Sequence, residues 1–310
     1  MKTTKTDKKV SVVIPTYCGS KYLCRCVDSV LNQTYKQIEV LVVDDNGLGS
    51  EEQLKTAAVM KQYEGDDRVK YICHEVNING SAARNTGVKH SSGDFIALMD
   101  DDDEFYPHKI ERQIQLINTL PEIVGVVYCA CEVFYGNKKV SETHALKSGF
   151  ILYECLMHQL QIPSTSMLIR KTAYQTIGGF DESFYRHQDW EFVDRIAARF
   201  CIKSDDFIGF KRNLEFRNRI GSPELFKERR LHYLEKMMPL IKTLSPRQQK
   251  NVLVRNRMDI FLEFIKNRKY KEAYMEYHNA HPGIRGLYYF ALRILKIINR
   301  GRLRLVKSTK

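Results

Sequence analysis

Between Val10 and Cys129 five short apolar runs alternate with segments of helical spacing, and that alternation narrows the fold more than any other feature of the chain. The runs at 10–14, 38–43, 69–73, 95–99 and 124–129 are mostly apolar, and the first is β-branched, as suits buried strands. Between them, 21–32, 51–63, 81–90 and 107–120 read as helices. The third is capped by Ser81, and the fourth carries Ile110, Ile114 and Ile117 on one face. Such alternation argues for a parallel, right-handed α/β sheet. Ligands on such sheets bind beyond the carboxyl ends of the strands. Three segments lie at those ends: Pro15-Thr16-Tyr17, Asp44-Asp45 and Asp100-Asp101-Asp102-Asp103.

The four consecutive aspartates allow two readings. One is a solvated acidic turn in which Asp103 or Glu104 caps a helix opened by Pro107. The other is a cation site, because Mg²⁺ and Mn²⁺ take hard oxygen ligands, often one or two carboxylates plus substrate phosphates. The convergence of three strand ends favours the second. No GxGxxG or GxxxxGK[ST] follows any strand, so neither glycine-rich phosphate loop is present. Any phosphate must be met by a metal on the aspartates and by Arg84 on the third helix.

Past Cys129 the pattern is irregular. A loop with a short helix spans 149–161, a strand 163–170, and a helix starts at Lys171. Gly178-Gly179 marks a turn, and another helix begins at Gln188 beside the only Trp, Trp190. Asp189 falls in the first turn of that helix. There it is either a residue complementing the helix dipole or a general base at the mouth of a site.

Charge divides the chain. Residues 211–310 hold 25 of the 49 basic and 8 of the 37 acidic side chains, a net of +17 against −5 over 1–210. From Pro223 onward the chain reads as helices broken at Pro239, Ser245-Pro246 and His281-Pro282-Gly283. In the last segment an apolar stripe (Leu287, Phe290, Ala291, Ile294, Ile298) lies beside Arg293, Lys296 and Arg300. That stripe either packs on the body of the protein or lies on an anionic membrane surface. No nucleic-acid module is visible. No run reaches the length of a membrane span, and the polar start, 1–9, has no signal-peptide core. The eight cysteines lack metal-site spacing and read as free thiols.

Five segments together resemble the family-2, inverting, nucleotide-sugar glycosyltransferases of GT-A fold: VSVVIPTY (10–17), LVVDDN (41–46), GSAARNTG (80–87), DFIALMDDDDEFYP (94–107) and GGFDESFYRHQDWEFVDR (178–195). The resemblance implies an α/β fold with a mostly parallel sheet flanked by helices and followed by a helical extension. The catalytic domain would be 1–215, with nucleotide-sugar binding over about 8–130 and the acceptor side over about 131–215; 216–310 would be the basic extension that meets the membrane. It also implies roles. Asp102, supported by Asp100, would hold Mn²⁺ or Mg²⁺. Pro15, Thr16, Tyr17, Asp45, Arg84, Asn85, Asp100 and Asp101 would line the nucleotide sugar, with Asp45 reading the base. Asp189 would be the catalytic base, and Asp103, Gln188 and Trp190 would face the acceptor.

The chain departs from the family pattern at three places. Gln188 replaces the usual Glu before the base. The Gln-x-x-Arg-Trp motif of processive synthases is absent, which implies single-sugar transfer. Arg219 stands where His is common and would meet phosphate. The expectation is a cytoplasmic enzyme, peripheral on the inner face of the membrane. It would move one sugar from a UDP-sugar to a glycan or lipid-linked acceptor in surface polysaccharide assembly. The rivals are a non-catalytic sugar-nucleotide scaffold and a nucleotidyl-sugar enzyme on a similar sheet.

Overall fold

A computed structural model describes residues 8–160, 162–214, 221–281 and 283. The chain divides into two compact units, Met1–Asn218 and Arg219–Lys310.

The first unit is built on β1 (Val10–Thr16), buried along almost all of its length. It pairs in parallel with β2 (Ile38–Asp44) on one side and β4 (Phe95–Leu98) on the other, and β3 (Val69–Cys73) adds outside β2. Pro15 does not end β1. The register with β4 stops at Val13↔Leu98, while that with β2 runs on to Thr16↔Asp44. Pro15 therefore sits where one neighbour has ended, and its missing N–H breaks no ladder there.

Helices α1 (Ser20–Leu31), α2 (Glu51–Met60) and α3 (Gly80–Lys89) fill the crossovers. In α1 the buried residues Leu23, Cys26, Val27 and Val30 follow helical spacing. The cap of α3 is Asn79, not Ser81: its side chain accepts the Ala82 N–H. Helix α3 lies so close to β1 that a Cβ on Gly87 would come within 2.3 Å of Val13 Cγ1.

Beyond β4 the sheet becomes mixed. After β5 (Glu104–Phe105) and α4 (Lys109–Ile117), β6 (Val124–Tyr135) carries the edge hairpin strand β7 (Lys138–Glu142). Following the short α5 (Leu152–Leu156), β8 (Met167–Arg170) inserts antiparallel between β4 and β6. After α6 (Lys171–Thr176) and α7 (Gln188–Ala197), β9 (Cys201–Asn213) runs parallel to β6 and pairs antiparallel with β5. The path across the sheet is β3-β2-β1-β4-β8-β6-β9-β5. One hydrophobic layer packs α1 and α4 on one face, and another packs α3, α6 and α7 on the other. The capping reading of the aspartate run is overturned: Glu104 is in β5, and α4 starts after His108, which makes no side-chain cap.

The second unit contains α8 (Pro223–Ile241), α9 (Pro246–Lys266) and α10 (Tyr270–Ala280). Ser222 caps α8, and Ser245 with Gln248 forms a capping box on α9. Pro239 does not break α8. Pro239 has no N–H to offer the residue four positions earlier, Glu235, which is exposed. Residues 284–310, which carry the proposed membrane stripe, lie outside the described residues, as does Arg219. Among the described residues no helix is long and apolar enough to cross a membrane, and all eight cysteines are free.

Candidate functional site

The aspartate run forms a turn in which the Asp103 N–H donates to the Asp100 carbonyl at 3.1 Å, and this turn separates the four carboxylates. Asp101 and Asp103 are buried. Asp101 accepts from Thr16 Oγ1 at 2.6 Å. A Cβ on Gly19 would meet Asp101 Oδ2 at 1.7 Å, so this carboxyl is packed against backbone. Asp103 accepts from Thr165 Oγ1 at 2.9 Å and from the Asn213 N–H at 3.1 Å. Burial, then Asp100 and Asp102, push its pKa well above the usual carboxylate range. Asp103 thus ties the turn to β9 rather than facing an open acceptor side.

Asp100 and Asp102 are the partly exposed pair. The Asp100 carboxylate accepts from Arg84 Nη2 at 2.7 Å, and its side chain is 36% exposed. Asp102 is held through its backbone carbonyl, which accepts from Asn213 Nδ2 at 2.7 Å and Arg25 Nη2 at 3.1 Å. Two hard carboxylates at a strand end, with room for solvent or phosphate, suit Mn²⁺ or Mg²⁺. Among the described residues no cluster of three or more His, Cys, Asp or Glu is arranged to hold a metal. An ion on Asp100 and Asp102 would therefore complete its shell with water and ligand oxygens.

Arg84 links this run to α7. Its Nη1 donates to Gln188 Oε1 at 2.8 Å, while Nε is buried without a partner. Gln188 also donates to the Phe184 carbonyl at 2.9 Å, so it is a spacer between Arg84 and the start of α7. Asp189 follows, partly exposed, and its Oδ1 accepts the Trp190 N–H at 3.1 Å. Burial first, then Asp100, push the Asp189 pKa up; Arg212 and Arg84 pull it down. Asp189 lines a small cleft with His158, Leu160, Ile162 and Trp190. Trp190 is flanked by His187 (centroids 4.1 Å, stacked) and His158 (4.3 Å, tilted), so imidazoles already cover its ring.

At the third strand end Asp45 is buried. Its Oδ1 accepts from His74 Nδ1 at 2.8 Å and the Ile78 N–H at 2.9 Å, and its Oδ2 from Asn77 Nδ2 at 2.9 Å. The Asp45 N–H donates to the Thr16 carbonyl at 2.9 Å, which sets Pro15-Thr16-Tyr17 alongside, with Tyr17 56% exposed. Asn85 points elsewhere. Its amide is used by Tyr174, Glu182 and the Phe180 backbone, fastening the 178–182 turn.

The structure thus gathers Thr16, Tyr17, Asp45, Arg84, the aspartate run, Gln188 and Asp189 along one edge of the sheet. Sequence reasoning missed His74, Asn77, Thr165, Asn213 and Arg212. Arg212, on β9, exerts its electrostatic pull on Asp103, Asp100 and Asp189. The one available signal was a basic residue at the end of a strand, which no motif marks.

Comparison with known proteins identifies the family and the fold. Residues 11–178, more than half of the chain, match the family described as Glycosyl transferase family 2. An uncharacterized glycosyltransferase of Rickettsia prowazekii is 34% identical over 188 residues, 59% of this chain and 56% of its own length. The amylovoran biosynthesis glycosyltransferase AmsB of Erwinia amylovora is 28% identical over 211 residues, covering 66% of each chain. The chain thus spans little more than half the length of the Rickettsia relative. Staphylococcus aureus TarS 1-349 in complex with UDP-GlcNAc superposes with TM-score 0.58 at 16% identity, over 89% of this chain and 91% of that one. The mannosyltransferase PcManGT of Pyrobaculum calidifontis, in complex with GDP-Man and Mn²⁺, superposes with TM-score 0.59 at 14% identity, over 94% and 81%. These likenesses establish a GT-A-like fold. With a match over more than half of its residues, the chain belongs to glycosyl transferase family 2.

Proposed function

We propose that this chain transfers one sugar, with inversion, from a UDP-sugar to a hydroxyl of a glycan or lipid-linked acceptor in surface polysaccharide assembly. The observation that carries the reading is the Asp100–Arg84–Gln188 chain of contacts, which connects the exposed aspartate pair to the helix start that bears Asp189. Asp189 takes the proton of the acceptor hydroxyl. The acceptor oxygen then bonds to the anomeric carbon from the face opposite the leaving group. The bond from that carbon to the diphosphate oxygen breaks, and the nucleoside diphosphate leaves with the electron pair. A carboxylate whose pKa is raised by burial is a stronger base. Arg84 holds positive charge beside the departing diphosphate. Mn²⁺ or Mg²⁺ on Asp102 and Asp100 would supply Lewis-acid stabilisation of the same charge. Tyr17 and Asp45 hold the nucleoside.

The polysaccharide placement draws on the biosynthetic name of AmsB. The membrane placement, and with it the cytoplasmic side, draws on the basic tail. Binding of UDP-sugars with and without Mn²⁺, in the native chain and in Asp102→Ala, tests the reading. The substitution should abolish the Mn²⁺-dependent part of binding; full affinity in the variant would remove Asp102 from the site.

A further inference from the structure

Asp102 lies in the turn between β4 and β5, so no strand ladder fixes its peptide. Its carbonyl accepts from Asn213 Nδ2 at 2.7 Å and from Arg25 Nη2 at 3.1 Å. Both donors also meet one oxygen of Glu104. Asn213 Nδ2 donates to Glu104 Oε1 at 3.3 Å, and Arg25 Nε pairs with the same oxygen at 3.2 Å. The contacts close into a ring that runs from the Asp102 carbonyl through Asn213, Glu104 and Arg25 and back. Each donor is built to span it, because an amide nitrogen carries two N–H groups and a guanidinium offers a rigid fork. Lys211, opposite Glu104 in the β5–β9 register, donates to Oε1 as well, at 3.0 Å. One carboxylate thus balances two cations beside the aspartate run.

Without that carboxylate the ring opens. The Asn213 amide turns about a broad terminal torsion, and Arg25, whose side chain is 40% exposed, relaxes toward water. The strand itself stays anchored by other groups. The Phe105 N–H donates to Ser29 Oγ at 3.0 Å, the Phe105 ring is buried, and the Tyr106 N–H donates to the Gly209 carbonyl at 2.9 Å. What Glu104 fixes is therefore the Asp102 peptide rather than β5.

We propose that Glu104 is a positioning residue: it holds Arg25 and Asn213 against the Asp102 carbonyl and so aims the Asp102 carboxylate at a divalent cation. The inference rests on the reading above, in which Asp102 carries Mn²⁺ or Mg²⁺. Groups that orient a metal ligand from behind typically set metal affinity by tenfold or more.

The test is isothermal titration of the full chain with UDP over a series of Mn²⁺ concentrations, in the native chain, Glu104→Ala and Arg25→Met. Glu104→Ala should raise the Mn²⁺ concentration for half-maximal enhancement of UDP binding by about tenfold. At saturating Mn²⁺ its UDP affinity should return to within about threefold of native, because the filled site is the same. An unmoved midpoint with native circular dichroism overturns the inference. So does a loss of affinity that saturating Mn²⁺ does not restore, the mark of a merely structural role. Arg25→Met, on an exposed side chain, should move the midpoint at least about threefold, and the two substitutions together should cost less than the product of their separate effects; a full product overturns the shared ring. If Glu104→Ala does not fold, Arg25→Met alone decides, and its unmoved midpoint overturns the inference. UDP binding that is independent of Mn²⁺ in the native chain overturns the metal reading itself, a separate outcome.

Discussion

Lys109 opens α4 with its side chain fully buried. Its ammonium donates to Gln113 Oε1 at 2.9 Å and lies 4.1 Å from the centroid of the Phe105 ring. Burial pushes its pKa from the ordinary 10.5 down to about 8. Below that value the folded state must charge a buried group that the unfolded chain charges in water. The unfolded state therefore binds more protons between about pH 8 and 10.5, and stability rises with pH across that window. At 1.36 kcal/mol per pKa unit, Lys109 costs about 3 kcal/mol at pH 7 and about 1.4 kcal/mol at pH 9.5. The gain of about 2 kcal/mol corresponds to roughly 4–8 °C in Tm for a unit of this size. Lys109→Met keeps the length of the side chain and removes the charge. It also leaves Gln113 Oε1 without this donor, at a cost of about 1–3 kcal/mol that does not vary with pH. The Tm difference, native chain minus variant, should therefore grow by about 4–8 °C between pH 7 and 9.5 in thermal melts followed by circular dichroism. A difference independent of pH would refute the argument.

Two further outcomes are expected. Gly19→Ala drives a methyl group into the Thr16–Asp101 hydrogen bond, so it should weaken UDP binding by about tenfold with native circular dichroism; unchanged affinity would separate that bond from the site. Deleting residues 283–310 should reduce co-sedimentation with phosphatidylserine-containing vesicles, and equal binding would end the membrane reading of the tail.

The elements that were legible in the sequence are those whose burial is local in origin. β1, β2 and β4 are buried along almost their whole length and so read as mostly apolar runs. β9 was not read, because its CIKSDDFIGFKRN mixes charges with half-buried positions and is held by pairing with β6 and β5. β7 is exposed along its whole length and β5 is two residues long. The candidate site divides in the same way. Motif spacing marked the aspartates, but their individual fates depend on Thr16, Thr165 and Asn213, which lie 85, 62 and 110 residues away. Asp101, expected to line the nucleotide sugar, is buried and accepts from Thr16 Oγ1. Asn85 and Trp190 matched motifs, yet the fold uses one to fasten a turn and covers the other with imidazoles.

In the proposed reaction Asp189 removes the acceptor proton while the donor is held elsewhere. The most direct test is Asp189→Asn, with UDP-sugar affinity and release of nucleoside diphosphate measured on the same preparation. Affinity should stay within about threefold of the native chain, and turnover should fall by about 10² or more. Near-native turnover would contradict the account.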